Sequence, residues 1–207
     1  MIVLDGIYYA LALAAAGGLI MWAAGPWFAT PLWILAGFCL YFFRDPDRAI
    51  PPGDVAVSPA DGKVVAVKPE SPTVNRISIF LNIFDVHVNR APIAGSIDKV
   101  QYQEGKFHVA SREVCSDQNE QNVVTMTGNG STVVFKQIAG LIARRIVFRK
   151  KPGDLVAAGE RVGLIKFGSR VDVLLGPEWE IAVQPGMRVS AGSSVIARRS
   201  PESGKPA

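Results

Sequence analysis

Imidazole chemistry in this 207-residue chain has two candidates, since His87 and His108 are its only histidines. His87 lies downstream of Ile77, Ile79, Leu81 and Ile83, and if that extended run continues, Asp85, His87 and Asn89 carry on the same face. A polar group is thereby added to an apolar face, which suits a part-buried imidazole whose tautomer a neighbour fixes and which acts as a general base. A core histidine satisfied by backbone fits the same pattern. His108, in the polar stretch before Ala110-Ser111-Arg112, reads as a surface residue. Asp61, in Ser58-Pro59-Ala60-Asp61-Gly62, puts an acid in a tight turn at the head of a strand, although Asp-Gly is also an ordinary turn pair.

A serine needs such a base, because a hydroxyl is a poor nucleophile until its proton is removed. Gly-Ser pairs begin at Gly95, Gly130, Gly168 and Gly192. Gly168-Ser169 stands apart: it interrupts a largely apolar stretch, 162–175, where two β-rich runs meet, whereas Gly95 and Gly130 read as turns. It is not a hydrolase nucleophile elbow, which needs a second glycine two residues after the serine; Val171 is there instead. Cys39 lies in an apolar run and Cys115 in a polar one, so neither a metal spacing nor a disulfide framework can be read.

The elements that must position these residues differ sharply along the chain. From Gly6 to Phe43 no side chain is charged, and Gly25-Pro26 divides this stretch into runs at 7–24 and 27–43, each near the minimum for spanning hydrocarbon. A helical hairpin fits, with Trp22, Trp27, Trp33 and Tyr41 at interfaces; a buried helical pair in a soluble protein is the competing reading. A secretory signal needs a positive leader, and Asp5 is the one charge before the run. Arg44 and Arg48 just past it favour a cytosolic downstream domain. That remainder carries all 22 Lys and Arg and every one of the 18 acids but Asp5, a net charge of about +5 suited to anionic lipid. No nucleic-acid module or aromatic-basic stripe is present, so nucleic acid is not expected as a partner.

Pro51-Pro52-Gly53 marks a boundary, after which Val- and Ile-rich runs at 62–67, 77–83, 123–126, 132–138, 161–165 and 171–175 alternate with turns. They predict a mainly β (α+β) fold: a compact antiparallel β domain, barrel- or sandwich-like with hammerhead repeats. The stretch 140–147 fits either a short helix or a strand, and of the two the helix is the expectation. Pro152-Gly153-Asp154-Leu155-Val156-Ala157-Ala158-Gly159 is echoed by Pro185-Gly186-Met187-Arg188-Val189-Ser190-Ala191-Gly192, two similar turns each followed by a strand. Biotinyl and lipoyl carriers share this punctuation, so a non-enzymatic, membrane-tethered carrier or adaptor is the alternative. Lys63 is its one candidate attachment lysine, with flanks unlike an attachment motif.

Taken in order, Ser58-Pro59-Ala60-Asp61-Gly62, Asp85-Val86-His87-Val88-Asn89-Arg90-Ala91-Pro92 and Lys166-Phe167-Gly168-Ser169-Arg170-Val171-Asp172 resemble the short bacterial and archaeal class of phosphatidylserine decarboxylases. The resemblance covers roughly 43–197, and the apolar hairpin followed by Phe43-Arg44-Asp45-Pro46 is similar to that class too. It implies a proenzyme that cuts itself between Gly168 and Ser169, into a large chain 1–168 and a small chain 169–207 that stay together as a heterodimer. Ser169 attacks the preceding carbonyl to give an ester, elimination leaves a dehydroalanine, and hydrolysis yields a pyruvoyl group and ammonia. A glycine before the serine lets the backbone bend for this attack. By the same resemblance His87 is the base and Asp61 orients it. The pyruvoyl group then forms a Schiff base with phosphatidylserine, and carbon dioxide and phosphatidylethanolamine are released; no pyridoxal phosphate and no metal is implied. The longer class has a further histidine three residues before the one matching His87, where Phe84 stands here. The expected organisation is therefore a membrane-associating hairpin over 1–43, a catalytic domain over 44–200 on the cytoplasmic side of the cell membrane, and a disordered tail over 201–207.

Overall fold

The protein is described by a computed structural model that covers residues 3–110, 112–141, 145–166 and 168–200; the tail expected over 201–207 lies outside the described residues. The chain divides into two units at Asp47 and Arg48. In the first, α1 (Leu4–Ala24) and α2 (Pro26–Phe42) form a hairpin. Gly25 turns the chain, and Pro26 sits at the start of α2, where a missing N–H costs nothing. Small side chains, Ala10, Ala29, Ala36 and Cys39, are buried along the seam, while Leu19, Trp22, Trp27, Phe28 and Ile34 point outward and are exposed. Helices that are apolar all round need lipid or a protein core around them. α1 is long and apolar enough to cross a membrane, and α2 is shorter.

In the second unit β1 (Val55–Val57), β2 (Gly62–Ser71), β3 (Val74–Leu81), β4 (Val88–Arg90) and β5 (Gly95–Gln103) precede a short helix, α3 (Cys115–Gln118). Then follow β6 (Gln121–Gly128), β7 (Ser131–Ile138), β8 (Arg145–Phe148), β9 (Leu155–Val156), β10 (Arg161–Lys166), β11 (Ser169–Leu175), β12 (Trp179–Ile181), β13 (Arg188–Val189) and β14 (Val195–Arg199). They make one eight-stranded sheet, β13-β2-β3-β11-β7-β6-β5-β9, and two three-stranded ones, β4-β10-β8 and β1-β14-β12. Among the described residues every strand pairing is antiparallel. Alternate residues such as Val64, Ile79, Met126, Phe135 and Val173 point into one shared core, each contributing about 1.5–3 kcal/mol by leaving water. The mainly antiparallel, barrel- or sandwich-like β fold expected from the alternation is the observed one.

The sequence echo is a structural repeat. Gly153 N–H donates to the Ile97 carbonyl and Gly186 N–H to that of Val64; Gly159 N–H donates to Ala91 and Gly192 N–H to Ser58. β9 pairs with β5 through Gly95 and Val156, as β13 pairs with β2 through Gly62 and Val189. Each of these contacts of one copy thus has its counterpart in the other at the spacing of Pro152 and Pro185.

Two local expectations are corrected. The alternating run does not continue to His87: β3 ends at Leu81, because the Asn82 carbonyl accepts the Asp85 N–H at 3.0 Å and the Asp85 carboxylate accepts the Asn82 N–H at 2.9 Å, closing a turn. Ile83, expected on the core face, is accordingly exposed. The helix expected over 140–147 gives way to strand β8, since Ile146, Val147 and Phe148 find a partner edge in β10, with Ile146 opposite Ile165. Residues 142–144 lie outside the described residues.

Candidate active site

Two antiparallel strand pairs cross between sheets at one place, and this crossing builds the site. β3 pairs with β11 in the large sheet, Leu81 opposite Ser169, and β4 pairs with β10 in a small one, Val88 opposite Leu164. The connector 82–87, from β3 to β4, and the step from β10 to β11 therefore lie side by side. Ile165 N–H reaches the His87 carbonyl at 3.2 Å and clips them together. On one strand path stands His87, and on the other Gly168-Ser169.

His87 is buried, its Nδ1 2.9 Å from the Asp85 carbonyl and its Nε2 3.2 Å from the Gly168 N. An amide can only donate, so Nε2 is the unprotonated nitrogen and Nδ1 carries the hydrogen that Asp85 accepts. The lone pair of this imidazole thus points at the residue preceding Ser169. Asp85 is held in turn by Arg188, the Asn82 amide and its own turn. Ser169 is fully buried and its Oγ has no hydrogen-bond partner among the described residues. A buried hydroxyl without a partner costs about 1–3 kcal/mol, which marks it as a functional candidate. Gly168 has φ of 69°, the left-handed region that favours glycine.

Asp61 is placed differently from a residue bonded to the imidazole. Its carboxylate takes Arg48 Nη2 on both oxygens, at 3.0 and 2.8 Å, and the Ala191 N–H at 2.7 Å. It fixes the 58–62 turn, whose Pro59 carbonyl accepts the Arg90 N–H of β4 at 2.9 Å. Phe84 is exposed at the tip of the connector, its N–H on the Asn82 side chain. His108 is half-buried, its main chain bonded on both sides to the Asn119 side chain. Lys63 lies inside β2, opposite Phe80 and Arg188; a carrier lysine belongs at a hairpin tip, and the carrier reading loses its attachment point.

Beside Gly168 opens a cavity of about 280 Å³ whose walls are Phe80, Ile83, Val109, Ala110 and Leu141, with Asn82 as the polar exception. The phosphatidylserine decarboxylase family model matches residues 35–197, a span that holds His87, Gly168, Ser169, Asp61 and this cavity. The chain belongs to the phosphatidylserine decarboxylase family. Named relatives agree: a phosphatidylserine decarboxylase proenzyme of Solibacter usitatus is 75% identical over 198 residues, 96% of this chain and 97% of the relative. One of Magnetococcus marinus is 46% identical over 175 residues, 81% and 80% of the two chains. One of Desulfotalea psychrophila is 44% identical over 178 residues, 82% and 83%.

In this member of the family the residues after Ser169 are anchored by buried charge. Arg170 Nε donates to Asp172 at 2.7 Å and its Nη2 to Ser78 Oγ at 2.6 Å, while Ser116 Oγ donates to Asp172 at 2.6 Å. Arg76 and Glu113 join, with Lys68 on Glu113 at 2.6 Å. Burial opposes the charge of Arg170, but its neighbours, Asp172 foremost with Cys115 and Glu113, together more than offset it, so the guanidinium pKa lies above its ordinary value. Burial also raises the Glu113 carboxyl, but Lys68, Arg170 and Arg76 together hold it below the usual carboxylate range. Burial pushes the Cys115 thiol up to about 11, so it is neutral and unreactive at pH 7.

Replacing Asp172 with Asn leaves Arg170 and Arg76 buried with too little negative charge, and the expected loss is about 3–5 kcal/mol, read by urea unfolding of uncut chains in a Ser169→Ala background. Acid weakens the same network. Glu113's folded-state pKa is depressed, so its contribution is present above the ordinary value of 4.5 and drains as pH falls below that. The urea midpoint of the uncut chain is therefore expected to drop on acidification through this range.

Sequence reasoning missed these charges, and it missed Arg48 and Asn119. The signal was available for Arg170 and Asp172, polar residues alternating with the core residues Val171 and Val173. It was available too for Gln137, buried in β7 and bonded to Asn89 Oδ1 at 2.9 Å. Arg48 and Asn119 carry no such signal, because both lie outside the strands, where no alternation marks a polar residue as inward-facing.

Proposed function

We propose that the chain is a phosphatidylserine decarboxylase made as a proenzyme, which cuts itself between Gly168 and Ser169 and converts Ser169 into its pyruvoyl group. The observation that carries this reading is the buried, unpartnered Ser169 hydroxyl, joined to a glycine whose N–H rests on the His87 Nε2 lone pair. A hydroxyl satisfied by neighbours would be structural; one left orphaned beside a base fits a side chain whose oxygen is spent during maturation. His87 takes the Ser169 proton as Oγ attacks the Gly168 carbonyl. Asp61 acts as a positioning residue: it holds the 58–62 turn on which β4, and with it His87, is docked. Arg170 and Asp172 keep the head of the small chain in place after the cut, bound to Ser78, Ser116 and Glu113 of the large one.

When formed, the pyruvoyl group would supply an electron-withdrawing keto carbonyl that condenses with the substrate amine and accepts electrons as carbon dioxide leaves. The apolar cavity beside Gly168 excludes water and receives the lipid to be decarboxylated. The hairpin of α1 and α2 is the membrane-associating element in this reading, supported by the length and apolar character of α1, and the basic residues Arg44 and Arg48 just past it favour a β domain on the cytoplasmic side.

The test is the intact mass of the purified protein. Two polypeptides are expected, Met1 to Gly168 and a blocked chain from position 169 to Ala207, held together without a disulfide because the small chain has no cysteine. A single uncut chain in freshly active protein overturns the reading.

A further inference from the structure

We propose that Gly140 is a positioning residue for self-cleavage: its bare Cα forms the slot that holds the Gly168 carbonyl for attack. This rests on the proenzyme reading and adds a residue to it. A Cβ built on Gly140 would fall inside van der Waals contact of the Gly168 carbonyl oxygen, and 3.2 Å from both its carbon and the Ala110 Cβ. The obstacle is backbone, so no side chain can swing aside to make room.

Neither wall of the slot can retreat. Ala139, next to Gly140, is pinned by its N–H on the Glu120 carbonyl at 2.9 Å and by Asn119 Nδ2 on its own carbonyl at 2.7 Å. The same Asn119 side chain grips both main-chain groups of His108, two residues before Ala110, and is itself buried. On the other side Gly168 is tied to His87 at 3.2 Å, and Ser169 is locked opposite Leu81 in β11. The left-handed turn at Gly168 directs its carbonyl toward Gly140.

The step served is the acyl shift. Ser169 Oγ bonds to the Gly168 carbonyl carbon, the peptide C–N bond breaks, and the Oγ proton passes by way of His87 to the freed amine of residue 169, giving an ester. A carbonyl displaced by a side chain at 140 leaves the line of attack, and a misplacement of about 1 Å is worth on the order of 100-fold in rate.

The experiment follows self-cleavage of Gly140→Ala in the full chain by intact mass over time, with thermal unfolding in parallel. Gly128→Ala is the matched control, since a Cβ there also collides with a backbone carbonyl, that of Ala94, at the far end of β6 from the site. Expected are slowing of cleavage by about 100-fold or more in Gly140→Ala with its cooperative unfolding kept, and normal cleavage in Gly128→Ala. Hydroxylamine, which intercepts an ester, is expected to release no fragment from Gly140→Ala, because the blocked step precedes the ester. Normal cleavage of Gly140→Ala, release by hydroxylamine, a lost unfolding transition or an equal block in Gly128→Ala would each overturn the proposal. Failure of the unsubstituted chain to cut at Gly168-Ser169 would instead sink the proenzyme reading beneath it.

Discussion

Ser169→Ala is expected to give a single uncut chain without decarboxylase activity, because neither the ester nor the pyruvoyl group can form without Oγ. Nothing else should suffer, since that oxygen makes no hydrogen bond among the described residues, and the variant should be no less stable than the parent. The other Gly-Ser serines provide the contrast. Ser96 bonds Asp98 on the surface, at 2.7 Å, and its removal should leave cleavage intact. Ser131 accepts Trp179 Nε1 at 2.7 Å and bonds Glu178, so Ser131→Ala should cost about 1–3 kcal/mol and still be cut. Ser193→Ala, just after the second copy of the repeat, should likewise be cut. Intact mass and thermal unfolding of the four variants decide it; a block at any serine other than 169 means that the scissile bond is misassigned.

His87→Ala should stop cleavage almost as completely, since the proton of Ser169 then has no acceptor and the Gly168 N–H loses its partner. Asp61→Asn should slow cleavage less. The imidazole remains, its tautomer still set by the Asp85 carbonyl, and only the turn beneath β4 is loosened as Arg48 and the Ala191 N–H lose a charged acceptor. In hydrolytic triads, where the acid bonds the histidine directly, losing it costs on the order of 10⁴ in rate; an indirect positioning role predicts a distinctly smaller loss. Time courses of intact mass for the two variants measure the ratio. An Asp61→Asn block as deep as that of His87→Ala would mean that the carboxylate moves onto the imidazole before attack. Chains of His87→Ala that do mature address the second step. With Phe84 exposed at the turn tip, turnover per mole of small chain should be low if His87 returns the proton after decarboxylation, and normal if water does.

Much of this was legible along the chain. Val- and Ile-rich runs bounded by turn residues named six strands, all of them present within a few residues, because β-branched side chains suit a pleated sheet and Gly, Pro and Asp suit the turns between. The uncharged 6–43 stretch named the hairpin for a similar reason, since a helix without a polar face has only lipid or a core to meet. Residue type named Ser169 and His87, as a nucleophile preceded by glycine and one of two imidazoles. The path to His87 was nevertheless misread: the run was extended past Leu81, whereas a turn built by Asn82 and Asp85 breaks it and aims the imidazole from a connector.

What the tertiary structure alone decided is who meets whom. The pairing of β3 with β11 and of β4 with β10 brings position 87 to position 168, across 81 residues of chain. It assigns Asp61 to Arg48 and Ala191 rather than to the imidazole, turns Arg170 and Asp172 inward to face Ser78 and Ser116, and lays Gly140 against the Gly168 carbonyl. None of these has a local signature. Periodicity records which face a residue takes, a property of its own strand, while a partner is chosen by sheet order and register, which depend on every strand at once.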